Sequence, residues 1–158
     1  MAPLIVMLVA WAVVRLVGFM GISEQADSWS GALRFAFAAM FLFTAVSHFH
    51  PRSRPDLIRM VPPGLPAPGL LVTATGIFEL CGAVALVLPQ TAAVAAYGLM
   101  ALLIAMFPAN VRAARHGLMV VGRRATPLVW RLPLQLFWIA ALWYVARTSP
   151  ALTNLLRH

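Results

Sequence analysis

Long apolar runs alternate with short polar connections along the chain, and this pattern predicts five membrane-spanning helices. Each run is close to the roughly 20 residues that an α-helix needs to cross a hydrocarbon core about 30 Å thick. The five runs are residues 4–20, 32–49, 70–88, 92–109 and 132–146. We therefore expect an all-α bundle of transmembrane helices embedded in a lipid bilayer, with almost no water-soluble domain.

The first run also resembles the apolar core of a secretory signal peptide. It lacks the positively charged segment that precedes such a core, and no clear small-residue cleavage site follows it. Arg15 is its only interruption. We favour a retained transmembrane helix.

Two of the connections contain turn-forming residues. Residues 21–30 combine glycine, serine and two acidic side chains, as an aqueous turn does, and Trp29 fits an interfacial anchor. Pro51 ends the second helix because proline lacks the backbone N–H and clashes with the preceding turn. Ser53 is then expected to cap a short surface helix over residues 56–61.

Composition supports the membrane assignment. Of the 158 residues, 62% are hydrophobic and 10% are charged, against roughly 45–50% and about 25% in soluble domains. The formal net charge of +8 would suit nucleic acid in a soluble chain, but here the arginines lie between apolar runs, where they set orientation. We therefore expect no nucleic-acid partner. The single cysteine, Cys81, excludes an internal disulfide and a cysteine-based zinc site.

The distribution of arginine predicts the orientation of the chain. The connections after the second and fourth runs lie on one side of the membrane and hold eight arginines, whereas the other side holds three. The eight are Arg52, Arg54, Arg59, Arg112, Arg115, Arg123, Arg124 and Arg131, and the three are Arg34, Arg147 and Arg157. Because arginine-rich connections stay in the cytoplasm, we expect a cytoplasmic amino terminus and a carboxyl terminus on the outer face.

Glu79 is the most informative residue, because it falls in the middle of the third run. A carboxyl group there costs several kcal/mol unless it is protonated, paired or open to a wet cavity. At helical spacing it shares a small, polar face with Thr75, Gly82 and Ala83, and we expect this face to point into the bundle. Glu79 is then either a packing device that makes one interhelical hydrogen bond, or a protonated ligand or proton site in the bundle's cavity.

Five other polar side chains lie near the predicted helix ends on the cytoplasmic side, and they define a candidate funnel toward Glu79. They are Thr44, His48, Thr75, Asn110 and Gln135. The alternative is a structural role for each residue. His48 is then an interfacial or capping imidazole, Asn110 ends its helix, and Gln135 binds a neighbouring backbone group.

Neither a metal nor a tightly bound cofactor is predicted. A haem would need paired imidazoles on facing helices, and only His48 is near such a position. The sequence contains no metal, flavin or nucleotide motif. Arg15, the other ion within an apolar run, is expected either to pair with Glu79 or to extend outward.

Four segments of the sequence resemble the DoxX family of small bacterial membrane proteins. They are FLFTA followed by SHF at residues 41–49, MVPPGLP at 60–66, TG-x-x-EL-x-GA at 75–83 and FPAN at 107–110. The resemblance extends over residues 31–146 and implies a four-helix membrane bundle made of the last four runs. Residues 1–30 are then an extra amino-terminal transmembrane helix and turn, and residues 147–158 are a short polar tail.

The resemblance also implies a function. The family is named after a subunit of an archaeal thiosulfate:quinone oxidoreductase, and another member is linked to an actinobacterial membrane oxidoreductase complex. The chain is then an accessory or quinone-interacting subunit in the bacterial cytoplasmic membrane, with a quinone as ligand and a redox protein as partner. The alternatives are a non-enzymatic carrier of a small hydrophobic molecule, with Glu79 in its pocket, and a purely structural partner. Most family members have no assigned reaction, so the resemblance does not make the chain an enzyme.

The distribution of arginine leads to a test of topology. A reporter that is active only in the cytoplasm is expected to be active at the amino terminus and inactive after His158, because five crossings place the two ends on opposite sides. A reporter active only outside the cytoplasm is the control, and it should give the reverse pattern. Cytoplasmic activity at both ends would overturn either the helix count or the charge argument.

Overall fold

The computed structural model describes residues 2–149, and this part of the chain is built from helices. In chain order the elements are α1 (Ala2–Phe19), α2 (Glu24–Asp27), α3 (Trp29–Phe49), α4 (Arg54–Met60), α5 (Pro68–Val87), α6 (Ala92–Arg115), β1 (Met119–Val120), β2 (Arg123–Arg124) and α7 (Leu128–Thr148). Five of the helices, α1, α3, α5, α6 and α7, are long and apolar enough to cross a membrane. The prediction of an all-α, multi-pass membrane bundle is confirmed.

Two helix ends differ from the prediction. The fourth run predicts a helix that ends at residue 109, whereas α6 continues through Pro108 to Arg115. The fifth run predicts a start at residue 132, whereas α7 starts at Leu128 and contains Pro133. Hydropathy misses both ends because an arginine near a membrane helix end reaches polar surroundings without ending the helix. Proline is also tolerated within membrane helices.

Ser53 occupies the N-cap position of α4, as predicted, but its side chain makes no capping hydrogen bond. Its backbone already has helical angles, φ −98° and ψ −32°, rather than the extended angles of a capping residue. Its hydroxyl instead donates to the carbonyl oxygen of Ser47 at 2.6 Å. The short helix α4 begins at Arg54, two residues before the predicted start at residue 56.

The helix α3 lies at the centre of the bundle and contacts α1, α5 and α7. Its side chains Phe37 and Phe41 are fully buried, and they cluster with Leu86 from α5 and Leu99 from α6. The outer faces of the bundle carry large apolar side chains such as Phe78 that are exposed in the isolated chain. In a membrane these side chains contact lipid, so the chain is apolar on both its inner and its outer surfaces.

The helix α5 has the predicted division into two faces. Its buried residues are three or four positions apart, which places them on one side. They are Val72, Gly76, Glu79, Ala83 and Leu86. The opposite face is exposed, and it contains Ile77, Leu80, Val84 and Leu88. The expectation that the face of Glu79 points into the bundle is therefore confirmed.

Two arginines link α3 and α5 through hydrogen bonds, one near each end of the bundle. Arg34 donates from Nε and Nη2 to the carbonyl oxygens of the last two residues of α5, at 2.9 and 2.7 Å. Arg54 donates from Nη1 to the carbonyl oxygen of His48 at 2.9 Å and from Nη2 to that of Gly69 at 3.0 Å. The carbonyl groups in the last turn of a helix have no amide partner in that helix, so Arg34 at the end of α5 and Arg54 at His48 satisfy groups that would otherwise be unpaired.

Asp56 attaches the hairpin of β1 and β2 to α4. Its Oδ2 accepts a hydrogen bond from the amide of Val121 at 2.8 Å, and its Oδ1 accepts one from Arg59. Val121 has a positive φ of 50°, which is uncommon for a β-branched residue. The Val121 amide and then Arg59 hold the pKa of Asp56 below its usual value near 3.8. As a carboxylate, Asp56 therefore joins the two connections on this side of the bundle.

The change Asp56→Ala is expected to release the hairpin from α4 without unfolding the bundle. Protection of the Val121 amide in hydrogen exchange should fall by roughly tenfold or more, since a hydrogen bond to a charged group contributes about 1.5–3 kcal/mol. Because folding lowers the pKa of Asp56, its contribution is full above about pH 4 and is lost as the pH falls through the folded-state pKa. The matched change Glu24→Gln, at an exposed acid elsewhere, should leave this amide protected. Equal protection in Asp56→Ala and the unmodified chain would contradict the attachment.

Candidate functional site

His48 and Glu79 meet in the interior of the bundle. His48 lies in the last turn of α3 and Glu79 in the middle of α5. The Nε2 atom of His48 is 3.6 Å from Oε2 of Glu79, and the two residues are only 4% and 3% exposed. Glu79 lies about 12–16 Å from the ends of α5 at 1.5 Å per residue, whereas His48 is one residue from the end of α3.

The second ring nitrogen of His48 fixes how the imidazole is protonated. Its Nδ1 is 2.8 Å from the carbonyl oxygen of Val72 and 3.2 Å from Oγ1 of Thr75. A carbonyl oxygen can only accept a hydrogen bond, so Nδ1 carries a hydrogen and donates it. In the neutral ring the lone pair is then on Nε2, which faces the carboxyl group of Glu79.

A glycine allows the imidazole to reach this position. A Cβ atom on Gly76 would lie 2.6 Å from Cβ of His48 and 3.0 Å from Cε2 of Phe49. Real Cβ atoms do not approach a neighbour so closely, so α3 and α5 can pack at this distance only with glycine at position 76. The role of Gly76 is not among the predictions from sequence, although small residues on a polar face of a membrane helix are a known signal of close helix packing.

Thr44 and Thr75 flank the pair, one from each helix. The Thr44 hydroxyl donates to the Phe41 carbonyl oxygen at 3.1 Å, and it also interacts with the Glu79 carboxyl group. The Thr75 hydroxyl has the carbonyl oxygen of Leu71 as an acceptor at 2.9 Å. The Thr75 hydrogen is donated within its own helix, whereas the Thr44 hydroxyl has two acceptors, the Phe41 carbonyl oxygen and the Glu79 carboxyl group.

Oε2 of Glu79 has no hydrogen-bond partner within residues 2–149. The contact of 3.6 Å with His48 is longer than a hydrogen bond. A buried polar atom without a partner costs about 1–3 kcal/mol. The pair has two arrangements with one proton, either on Glu79 beside a neutral His48 or on His48 beside a carboxylate. The first arrangement avoids separating two charges in an apolar bundle.

Asn110 and Gln135 lie elsewhere, between α6 and α7. Oδ1 of Asn110 accepts a hydrogen bond from Arg131, and Nε2 of Gln135 donates to the carbonyl oxygen of Leu103 at 2.8 Å. The structure thus brings Thr44, His48 and Thr75 to Glu79, while these two residues join neighbouring helices. Gln135 therefore has the backbone partner that the structural alternative predicted. Asn110 does not end its helix, contrary to that alternative, because α6 continues to Arg115.

The other sequence candidates lie outside the pair. Arg15 donates to the backbone carbonyl of Asp27, its Nη1 is 3.5 Å from Oδ1 of the same residue, and its guanidinium lies 5.5 Å from the centre of the Trp29 ring. It therefore extends outward rather than pairing with Glu79. Cys81 is exposed, on the side of α5 that faces away from the bundle. The two best-defined cavities of the described chain are lined by neither His48 nor Glu79.

Comparison with known proteins identified one family. The family described as "Domain of unknown function (DUF8561)" matches residues 37–146, which contain the whole of the pair and its neighbours. Comparison with the curated proteins and with the solved structures found no match. The resemblance to the DoxX family stays a prediction.

The close approach at Gly76 is expected to make Gly76→Ala destabilising. The added methyl group should push His48 away from Val72 and cost about 1–3 kcal/mol, as overpacking of a core does. Gly98, in α6, is the matched control, because a Cβ atom there would meet no atom within 4 Å. Gly98→Ala should be neutral or stabilising by up to about 1 kcal/mol. Thermal unfolding in detergent measures both variants. Equal midpoints for the two variants would argue against the tight contact.

Proposed function

The chain belongs to the family described as "Domain of unknown function (DUF8561)", and we propose that it is an accessory, quinone-interacting subunit of a membrane oxidoreductase system. In this proposal the fold is of the DoxX type with one added amino-terminal helix. The functional centre is the pair of His48 and Glu79. A quinone is its ligand, and a redox protein is its partner.

The observation that carries the proposal is the unpaired Oε2 of Glu79 opposite the Nε2 lone pair of His48. Two groups that share one proton can either donate a hydrogen bond to a ligand or accept one from it. A quinone oxygen needs both abilities, because it accepts a hydrogen bond when oxidised and donates one when reduced. The surroundings of the pair are apolar, which suits a ligand that dissolves in the membrane.

In this proposal Glu79 supplies one of the two protons that reduction of a quinone requires. The reduction of a quinone to a quinol takes two electrons and two protons, and the electrons come from the redox partner. The O–H bond of Glu79 breaks, its proton forms an O–H bond at one quinone oxygen, and a carboxylate is left beside His48. The second proton comes from water at the membrane surface. Because both side chains are buried, a quinone ring has to separate α3 from α5 locally.

The location and orientation belong to the same proposal. We place the chain in the bacterial cytoplasmic membrane, with the amino terminus inside and the carboxyl terminus outside. The arginine-rich connections around α4 and the β hairpin support this orientation, since both lie at the same end of the bundle and contact each other.

The alternative function, a carrier for a small hydrophobic molecule, needs a cavity beside Glu79. Neither cavity of the described chain contacts Glu79, so a carrier and a quinone site both require α3 and α5 to separate, and the hydrogen-bonding pair of His48 and Glu79 is what favours the quinone proposal. Mass spectrometry of what copurifies in mild detergent separates the two. A quinone together with a redox protein supports the proposal, whereas a lipid-like molecule without a redox partner supports the carrier.

Binding of a short-chain ubiquinone to the purified protein tests the role of Glu79. The change Glu79→Leu should weaken binding by about tenfold, which corresponds to the loss of one hydrogen bond worth about 1.4 kcal/mol. Glu79→Gln keeps a hydrogen-bond donor, so it should cause a smaller loss. Cys81→Leu is the matched control, because it places the same side chain on the lipid-facing side of α5. Unchanged binding in Glu79→Leu would rule out Glu79 as the quinone contact.

A further inference from the structure

A cavity of about 280 Å³ lies at the end of the bundle opposite to His48. Its walls come from α2 and the start of α3, the turn after α5 and the end of α7. Arg34, Ser30, Gln25 and Thr148 are among the residues that line it. Arg34 lies 14 positions before His48 in α3, so the cavity is about 21 Å from the pair and is independent of it.

Arg34 is buried at this cavity with one nitrogen left over. The residue is only 4% exposed, and its Nε and Nη2 donate to the carbonyl oxygens at the end of α5. Within residues 2–149 its Nη1 donates to no protein atom. A guanidinium is always charged, and its neighbours at the end of α5 are dipoles rather than anions. Its positive charge is therefore not neutralised by the residues that hold it.

The cavity lining contributes a further hydrogen-bond donor and no acid. Thr148 has one hydroxyl hydrogen and the Tyr144 carbonyl oxygen as an acceptor at 2.8 Å, so the Ser30 hydroxyl, 2.7 Å from it, is engaged with Thr148. The donor is the side-chain amide of Gln25, which also lines the cavity. None of the lining residues is acidic. Asp27, the nearest acid along the chain, pairs with Arg15 instead, and Glu24 is exposed. The cavity is thus rich in positive charge and donors, which is the chemistry that binds an oxyanion.

We propose that this cavity binds a phosphate group, held by Nη1 of Arg34 and the side-chain amide of Gln25, with Ser30 in the wall beside them. A volume of about 280 Å³ accommodates a single phosphate with its nearest substituent, but it is smaller than most drug-sized ligand pockets. The phosphate belongs either to the headgroup of a phospholipid or to a soluble ion. These two sources share the same chemistry at Arg34.

Two binding measurements on the full chain separate the sources. In the first, inorganic phosphate is added at constant ionic strength against chloride, and the thermal midpoint is followed, because a ligand that binds the folded state raises it. In the second, native mass spectrometry compares retention of phosphatidylglycerol with that of diacylglycerol, which has the same acyl chains and no phosphate. A response to phosphate alone identifies a soluble ion. Retention of one phosphatidylglycerol identifies a headgroup. Either outcome supports the proposed phosphate site only if substitution of Ser30 or Arg34 weakens the binding.

Three variants test whether binding depends on Arg34 and Ser30. Arg34→Gln should weaken binding by at least about tenfold, but it also removes a cap of α5 and risks misfolding. Ser30→Leu keeps the arginine and fills the cavity, so it should cause a similar loss in a folded protein. Arg147→Gln removes an exposed arginine at the same end that does not line the cavity, and it should bind as the unmodified chain does. A folded Ser30→Leu variant that binds both probes normally, or an unmodified chain that binds neither, would overturn the proposal.

Discussion

The hydrogen bond from Nδ1 of His48 to the carbonyl oxygen of Val72 determines the arrangement of the bundle's interior. It holds the end of α3 against the first half of α5 at 2.8 Å, and Gly76 supplies the space that this contact needs. It also commits one ring nitrogen as a donor, which turns the other toward Glu79. The arginines at the two ends of these helices align them, but the imidazole sets their separation at the level of the carboxyl group. Packing and protonation at this site therefore have the same cause.

A buried carboxyl group beside an imidazole has few stable arrangements in an apolar bundle. An imidazolium and a carboxylate would both lose their hydration in the bundle, and an unpaired carboxylate would cost still more free energy. A protonated Glu79 beside a neutral His48 avoids both costs, and such a pair can donate and accept a hydrogen bond. This property links the fold to the proposed interaction with a quinone.

The sequence predicts the helices and the inward direction of Glu79, because apolar length and a period near 3.6 are local properties. It does not predict that His48 is the partner of Glu79, since the two are 31 positions apart and nothing local states which helices pack together. His48 therefore looked like an interfacial group. The attachment of Val121 to Asp56 was missed for the same reason. The ends of α6 and α7 were misplaced because Arg115 and Arg131 count as polar, although their long side chains let the helices continue past the apolar region.

The protonation state of the His48 imidazole tests the central claim most directly. Nitrogen-15 NMR of histidine-labelled protein in lipid can report each ring nitrogen, and a His48→Gln variant assigns its signals. The account predicts a hydrogen on Nδ1, and an Nε2 resonance that shifts in Glu79→Gln while Nδ1 changes little. A neutral ring with its hydrogen on Nε2 and a bare Nδ1 would contradict the hydrogen bond to Val72, and with it the pairing of His48 and Glu79.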